Sequence, residues 1–128
     1  MNQLNGIIMG LKEQIQQRTK KLAIGIITMC GKLPKTEGNQ IISRQLIRAA
    51  CSVGANYRAV CRAKSPADFI NKLNIVEEEA DESIFWLELL EELDCKLTQI
   101  ISVYSNEMTE ILSIVVAAKK TSKQRMSA

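Results

Sequence analysis

Arg44, Arg48, Arg58 and Arg62 stand four, ten and four residues apart. On a helix turning by about 100° per residue they project within about 80° of one another. Leu46, Ala50, Val53, Tyr57 and Val60 recur at four-three spacing on the opposite side. A helix through Arg44 to Lys64 therefore buries one face and presents a line of guanidinium groups on the other. Only Cys51 and Ala55 lie in the arc between the arginine pairs, so little bulk obstructs a long ligand or a partner helix. Guanidinium groups grip carboxylates and phosphates through paired hydrogen bonds. The chemistry in view is binding.

The charges elsewhere leave two occupants open. Residues 1–76 hold 12 Lys/Arg against 3 Asp/Glu, residues 77–95 hold 9 acids and no base, and residues 96–128 hold 5 bases against 2 acids. Such a chain can pair its charges internally, pair with copies of itself, or turn its basic part toward a polyanion. In a hairpin turning near Ser65, Arg48 lies opposite Glu79 to Glu82 and Arg44 lies near Trp86. Arg58 and Arg62 face a stretch whose single acid is Asp68, so they are the harder pair to neutralise. Arg18, Lys20 and Lys21, with Lys12 ahead of them, form a second basic cluster. Beside Arg58, Arg62 and Lys64 it would extend a phosphate-contacting surface. Aromatic residues make up only 4% of the chain, so contacts are expected to phosphates, with little reading of bases.

Catalysis finds few tools here. There is no histidine, which removes the usual general base at neutral pH. Glu78, Asp81, Glu82 and Glu92 share a helical face, but no E-x-x-H pair accompanies them to build a di-metal bundle site. Phosphate loop, nucleophile elbow and dinucleotide fingerprint are all missing. The expectation is a protein that is not an enzyme, with no metal and no cofactor. Cys30, Cys51, Cys61 and Cys95 lack C-x-x-C spacing and are expected to be buried, reduced thiols of a cytoplasmic protein. The N-terminus shows no basic region leading into an apolar run, hence no signal peptide. The longest apolar runs, such as Ile114 to Ala118, are too short to span a bilayer, and no membrane is expected.

The elements that must position these groups are helices. With 46% apolar residues and only two Pro and six Gly in 128 residues, the composition fits a single all-α domain (residues 1–128, with an ordered core over about 8–120). A first helix is expected over about Leu11 to Lys32, with Leu11, Ile15, Leu22, Ile26, Met29 and Leu33 on its buried stripe, ended by Pro34. A second starts at an N-cap Thr36 and runs to about Lys64. Ser65-Pro66-Ala67-Asp68 reads as N-cap, first-turn proline and an acid reaching back. The third helix then runs to about Leu93, and Asp94 and Cys95 make a turn. The fourth carries Leu97, Ile101, Tyr104, Met108, Ile111, Val115 and Ala118 at four-three spacing, with a basic C-terminal tail expected to fray after Lys119. Short connections make consecutive helices antiparallel, which gives an up-down-up-down four-helix bundle. The third helix carries a core stripe (Phe69, Leu73, Val76, Ala80, Ile84, Leu87) and a second apolar group of Ile75, Phe85, Trp86, Leu89 and Leu93. Either a wide core takes that second group or it forms a subunit interface. Gly54 and Ala55 are expected to permit close helix approach.

Two segments carry a resemblance. Pro34-Lys35-Thr36 is followed by Gln45-Leu46-Ile47-Arg48-Ala49-Ala50 and Ser52-Val53-Gly54-Ala55-Asn56-Tyr57-Arg58. Ser65-Pro66-Ala67-Asp68-Phe69 is followed by Glu77-Glu78-Glu79-Ala80-Asp81-Glu82 and Trp86-Leu87-Glu88-Leu89-Leu90. Over roughly residues 10–120 the chain resembles the four-helix-bundle proteins of ribosomal-RNA intervening sequences, relatives of the accessory protein of diversity-generating retroelements. The resemblance implies a homopentameric ring of bundles. In the retroelement branch it implies a basic surface that binds nucleic acid, RNA or DNA, and a reverse transcriptase as partner. Two functions are therefore expected to compete. One is sequence-independent nucleic-acid binding through Arg44, Arg48, Arg58, Arg62, Lys64, Arg18, Lys20 and Lys21. The other is a protein-recruiting oligomeric scaffold without nucleic acid. In either case Phe85, Trp86, Leu89 and Leu93 would join the subunits.

Overall fold

The computed structural model describes residues 10–93 and 96–127. Four helices account for most of them: α1 (Leu11–Cys30), α2 (Glu37–Val60), α3 (Pro66–Glu92) and α4 (Thr98–Ser127), with no strand among the described residues. The chain is an all-helical, four-helix protein. Each helix packs on two others: α1 on α2 and α4, and α3 on α2 and α4.

Local chemistry sets most of the boundaries. Pro34 follows the end of α1, and its carbonyl accepts from the Asn39 side chain at 2.9 Å. The Thr36 hydroxyl accepts the Asn39 backbone N–H at 3.1 Å, capping α2. Ser65 caps α3 by accepting from the Asp68 N–H, with Pro66 in the first turn. The Asp68 carboxylate reaches back one residue further than a capping box does, to the backbone N–H of Lys64 at 3.0 Å.

Two boundaries and the burial of one residue differ from the expectation. α2 ends at Val60, so Arg62 and Lys64 lie in the turn after it. α4 does not stop near Lys119: it is helical to Ser127, although residues 120–127 are almost all exposed. The apolar stripe ends where expected, but Lys, Thr, Gln, Arg and Met all tolerate helix, so periodicity marked the end of burial rather than of helix. Leu11 is 62% exposed because α1 begins there, at the extended Gly10.

The buried stripes meet in one core. Ile15, Leu22, Ile26 and Met29 of α1 pack with Leu46, Val53 and Val60 of α2, Leu73, Leu87 and Leu90 of α3, and Ile101, Met108 and Ile111 of α4. In α3 the buried line runs Ile70, Leu73, Val76, Ala80, Ser83, Leu87 and Leu90. Phe69 and Ile84, expected on this stripe, are only half-buried and pack against the core. Ser83 fits because its hydroxyl donates to the Glu79 carbonyl at 2.8 Å. Gly54 faces Thr19 of α1, where a Cβ would stand 3.5 Å from the hydroxyl, whereas Ala55 is exposed and brings no helices together. Gly25 is tighter, since a Cβ there would fall 2.7 Å from the Tyr104 hydroxyl of α4.

By length and composition α4 is apolar enough to cross a bilayer, which uninterrupted apolar runs did not reveal. Between Ile101 and Ala118 its only charges are Glu107 and Glu110. Both are ion-paired to Arg18 of α1, and Ile101, Met108, Ile111 and Val115 are buried in the shared core. In this fold α4 gives those four side chains to the core, while much of its apolar stretch stays half-buried or exposed.

Candidate functional site

Arg44, Arg48 and Arg58 fall on the outer side of α2 and Arg62 lies in the turn beyond it, and the four differ in how they are held. Arg48 lies opposite α3, where it donates to Glu79 at 3.2 Å and to Glu82. Glu82 also accepts the Trp86 indole N–H at 3.1 Å. These two carboxylates, Glu79 first, raise the Arg48 pKa. Arg18 of the second cluster points to α4 and forks onto Glu107, with contacts of 2.9 and 2.7 Å. The same fork holds the Glu107 carboxyl below its usual range. Lys72 pairs with Asp68 and Lys119 with Glu77.

Arg44, Arg58 and Arg62 are exposed and make no ion pair among the described residues, and the same holds for Lys20 and Lys21. The Lys64 side chain is exposed too, at the end of α2, where its backbone N–H holds Asp68. The basic surface thus divides. Arg48 and Arg18 are neutralised within the subunit, and Arg44, Arg58, Arg62 and Lys64 keep free cationic ends. Cys51 lies on this outer face and is exposed, contrary to the expectation of a buried thiol. Its place in the arginine arc, opposite the core stripe, is the reason. Cys30 is buried and Cys61 half-buried, both free; burial pushes the Cys30 thiol up. Cys95 lies outside the described residues.

On α3 a row of Glu78, Asp81, Glu88 and Glu92 is exposed and unpaired among the described residues, with Phe85 in its middle. Phe85 is 50% exposed and stacks edge-on against Trp86, with ring centroids 5.0 Å apart. The second apolar group is split. Trp86 and Leu89 lie partly buried against the core, while Ile75, Phe85 and Leu93 remain open. Glu82 belongs with Arg48 rather than with the acidic row. No group of three or more Cys, Asp or Glu among the described residues has the geometry to hold a metal ion.

The structure also gathers cations that the sequence kept apart. Lys12 of α1, Lys64 and Arg125 of α4 line one groove at the end of the bundle, and the Lys12 ammonium lies 5.7 Å from the Phe69 ring centre. A helical tail beyond Lys119 is what brings Arg125 there, and no apolar period marks that tail.

The chain as a whole has known relatives. The 23S rRNA-intervening sequence protein family matches residues 12–117, and the chain belongs to that family. Among solved structures it is similar to a protein of unknown function from the S23 ribosomal protein family of Bacteroides thetaiotaomicron. The two are 33% identical, the match covers 83% of this chain and 98% of the other, and the TM-score is 0.75. Comparison with curated proteins finds no match.

Proposed function

We propose that this chain is a non-enzymatic, oligomeric helical-bundle protein that binds nucleic acid without sequence preference along the outer face of α2. The observation that carries the reading is the contrast within one arginine line. Arg48 has two carboxylate partners, whereas Arg44, Arg58 and Arg62 have none among the described residues and stand in solvent. Unpaired guanidinium groups at helical spacing suit phosphates, which need charge and hydrogen bonds but no base readout. Arg18 and Arg48 are ion-paired in the free subunit and contribute to this surface only by giving up those pairs.

The bundle is read as antiparallel, up-down-up-down. Supporting this, Arg48 meets Glu79 and Glu82 across the α2–α3 turn. Lys119 meets Glu77 while Ser102 meets Glu91, and Arg18 meets Glu107 and Glu110. The Lys119 and Ser102 contacts set late α4 against earlier α3 and early α4 against late α3, and Leu11 shares a groove with Ala118 while Met29 shares one with Leu97. Assembly into a homopentameric ring in the cytoplasm belongs to the same proposal. Exposed Phe85, Leu93 and Ile75 supply apolar anchors for subunit contacts, and the free acidic row of α3 offers partners for free arginines of a neighbour.

That last point favours a second reading, a scaffold whose arginines hold subunits together and whose ring recruits another protein. Fluorescence anisotropy with unrelated DNA and RNA oligonucleotides, titrated over salt, separates the two. In the first reading Arg58→Gln/Arg62→Gln weakens all sequences about equally. It also lowers the slope of log affinity against log salt by roughly one unit per lost contact, and the oligomer persists. Dissociation of the oligomer with unchanged nucleic-acid binding would replace it with the scaffold. No binding at low salt would remove nucleic acid from the account.

A further inference from the structure

The largest groove among the described residues, about 910 Å³, opens at the end of the bundle where α1 and α3 begin and α2 and α4 finish. Val60, Phe69, Ile114 and Ala118 make an apolar floor, and Lys12, Lys64 and Arg125 stand at the rim. Glu13 and Asp68, the acids nearest in the chain, do not line it, and Asp68 is already held by Lys72 and by the Lys64 N–H. The rim therefore favours an anion. The exposed floor is small, on the scale of one planar ring system rather than of a helix. The groove also continues the basic face of α2. Arg58 lies in the last turn of that helix, Arg62 in the turn that follows, and Lys64 at the rim itself.

Building on the reading of α2 as a nucleic-acid face, we propose that this groove receives an unpaired base of a single strand. A strand laid along Arg44 and Arg58 reaches the groove by way of Arg62. There the rim cations meet its phosphates, and a base turns in onto the floor. Every base has an apolar face, so the contact adds affinity without sequence preference. A duplex gains nothing from the floor, because its bases are paired and stacked inside. Lys12 suits the junction, since its ammonium lies 5.7 Å from the Phe69 ring centre and stays open to a phosphate. The tail of α4 supplies Thr121 and Arg125 to the groove, which gives a role to a helix that runs on past Val115, its last buried residue.

Fluorescence anisotropy with the full chain tests this, using labelled oligo(dT), an abasic strand of the same length and charge, and a blunt duplex. Oligo(dT) is expected to bind roughly tenfold more tightly than the abasic strand, the low end of what one stacked base contributes. The two strands share one salt slope, because their phosphate contacts are the same. Ala117→Gln/Thr121→Gln lays two neutral side chains over the floor from exposed positions that line the groove. It erases the advantage of oligo(dT) and leaves the abasic strand and the duplex unchanged. Equal binding of oligo(dT) and the abasic strand, with both weakened by Arg58→Gln/Arg62→Gln, overturns the base site and spares the α2 reading. An advantage that survives the glutamine pair overturns it too, as does an equal loss for the duplex. Failure of every strand to bind at low salt overturns both readings. Displacement of oligo(dT) by a glutamate-rich peptide that the glutamine pair no longer binds overturns the base site and gives the groove to a protein partner.

Discussion

Two glycines inside α1 and α2 turn helix packing into a measurable contrast. Neither has a left-handed backbone, so alanine at either site gains helix propensity, about 1 kcal/mol over glycine. At Gly54 the new Cβ stands 3.5 and 3.6 Å from the Thr19 side chain and 3.7 Å from its backbone carbon. These are ordinary contacts, and Gly54→Ala is expected to stabilise the protein by about 0.5–1 kcal/mol. At Gly25 the Cβ falls 2.7 Å from the Tyr104 hydroxyl and 2.8 Å from two ring carbons. The half-buried ring must move where α1 meets α4, the sparser of the helix contacts. Overpacking of this kind costs about 1–3 kcal/mol, so Gly25→Ala is expected to lose about 1 kcal/mol net. Urea unfolding followed by far-ultraviolet circular dichroism gives both values. In a Tyr104→Ala background the Gly25→Ala change should become favourable, and the double-mutant cycle isolates the clash. A stabilised Gly25→Ala in the parent, or a destabilised Gly54→Ala, would refute the helix packing described here. Gly54→Leu, which has no room beside Thr19, is expected to destabilise by about 1–3 kcal/mol.

Two further outcomes follow from the ion pairs and the open aromatic. Arg18 depresses the Glu107 pKa from its ordinary 4.5, so the pair stabilises the fold above that pH and the benefit is lost as pH falls through the depressed value. Both side chains are about one-third exposed, so Glu107→Gln should cost only about 0.5–1 kcal/mol at pH 7 and nearly nothing at pH 2, by denaturant titration at both pH values. Phe85→Ser/Leu93→Ser should lower the oligomeric mass in multi-angle light scattering at micromolar concentration while leaving the melting temperature of the subunit within a few degrees, because neither side chain belongs to the core. An unchanged mass would assign subunit contacts to another surface.

What was legible in the chain was whatever local chemistry and period dictate. Thr36 and Ser65 announced two helix starts because a hydroxyl before a helical run has an N–H to cap. The four-three stripe of α2 placed Arg48 opposite Glu79 and Glu82, and the ion pairs are there. The α3 stripe was harder, since apolar residues ring much of that helix. The true core line runs through Ser83, which a hydrophobic count passes over because its hydroxyl is satisfied by its own helix. Arg18 read as part of a second basic cluster. Its fork onto Glu107 joins residues 89 positions apart, and nothing in the period of α1 or α4 fixes how the two helices rotate against each other. Tyr104 explains Gly25 for the same long-range reason.

The charge segregation acquires a direction once the helices are placed. Internal pairs absorb Arg18, Arg48, Lys72 and Lys119, leaving free arginines on the outer face of α2 and free acids on the outer face of α3. These helices are packed neighbours, so the subunit carries stripes of opposite sign on adjacent helices, with the Arg48 ion pairs at the seam. In the proposed function, a polyanion on the α2 stripe would be repelled along α3 and held to one side, which would orient it without any base contact. The same two stripes let one subunit's acids face another's arginines, and any such contact competes with the polyanion for Arg44, Arg58 and Arg62. Replacing Glu78, Asp81, Glu88 and Glu92 with glutamine separates the two effects. If the stripes act only by steering, nucleic-acid affinity rises at low salt and the difference fades as screening shortens the field. If they act between subunits, the oligomer weakens instead, at every salt concentration at which the acids held it.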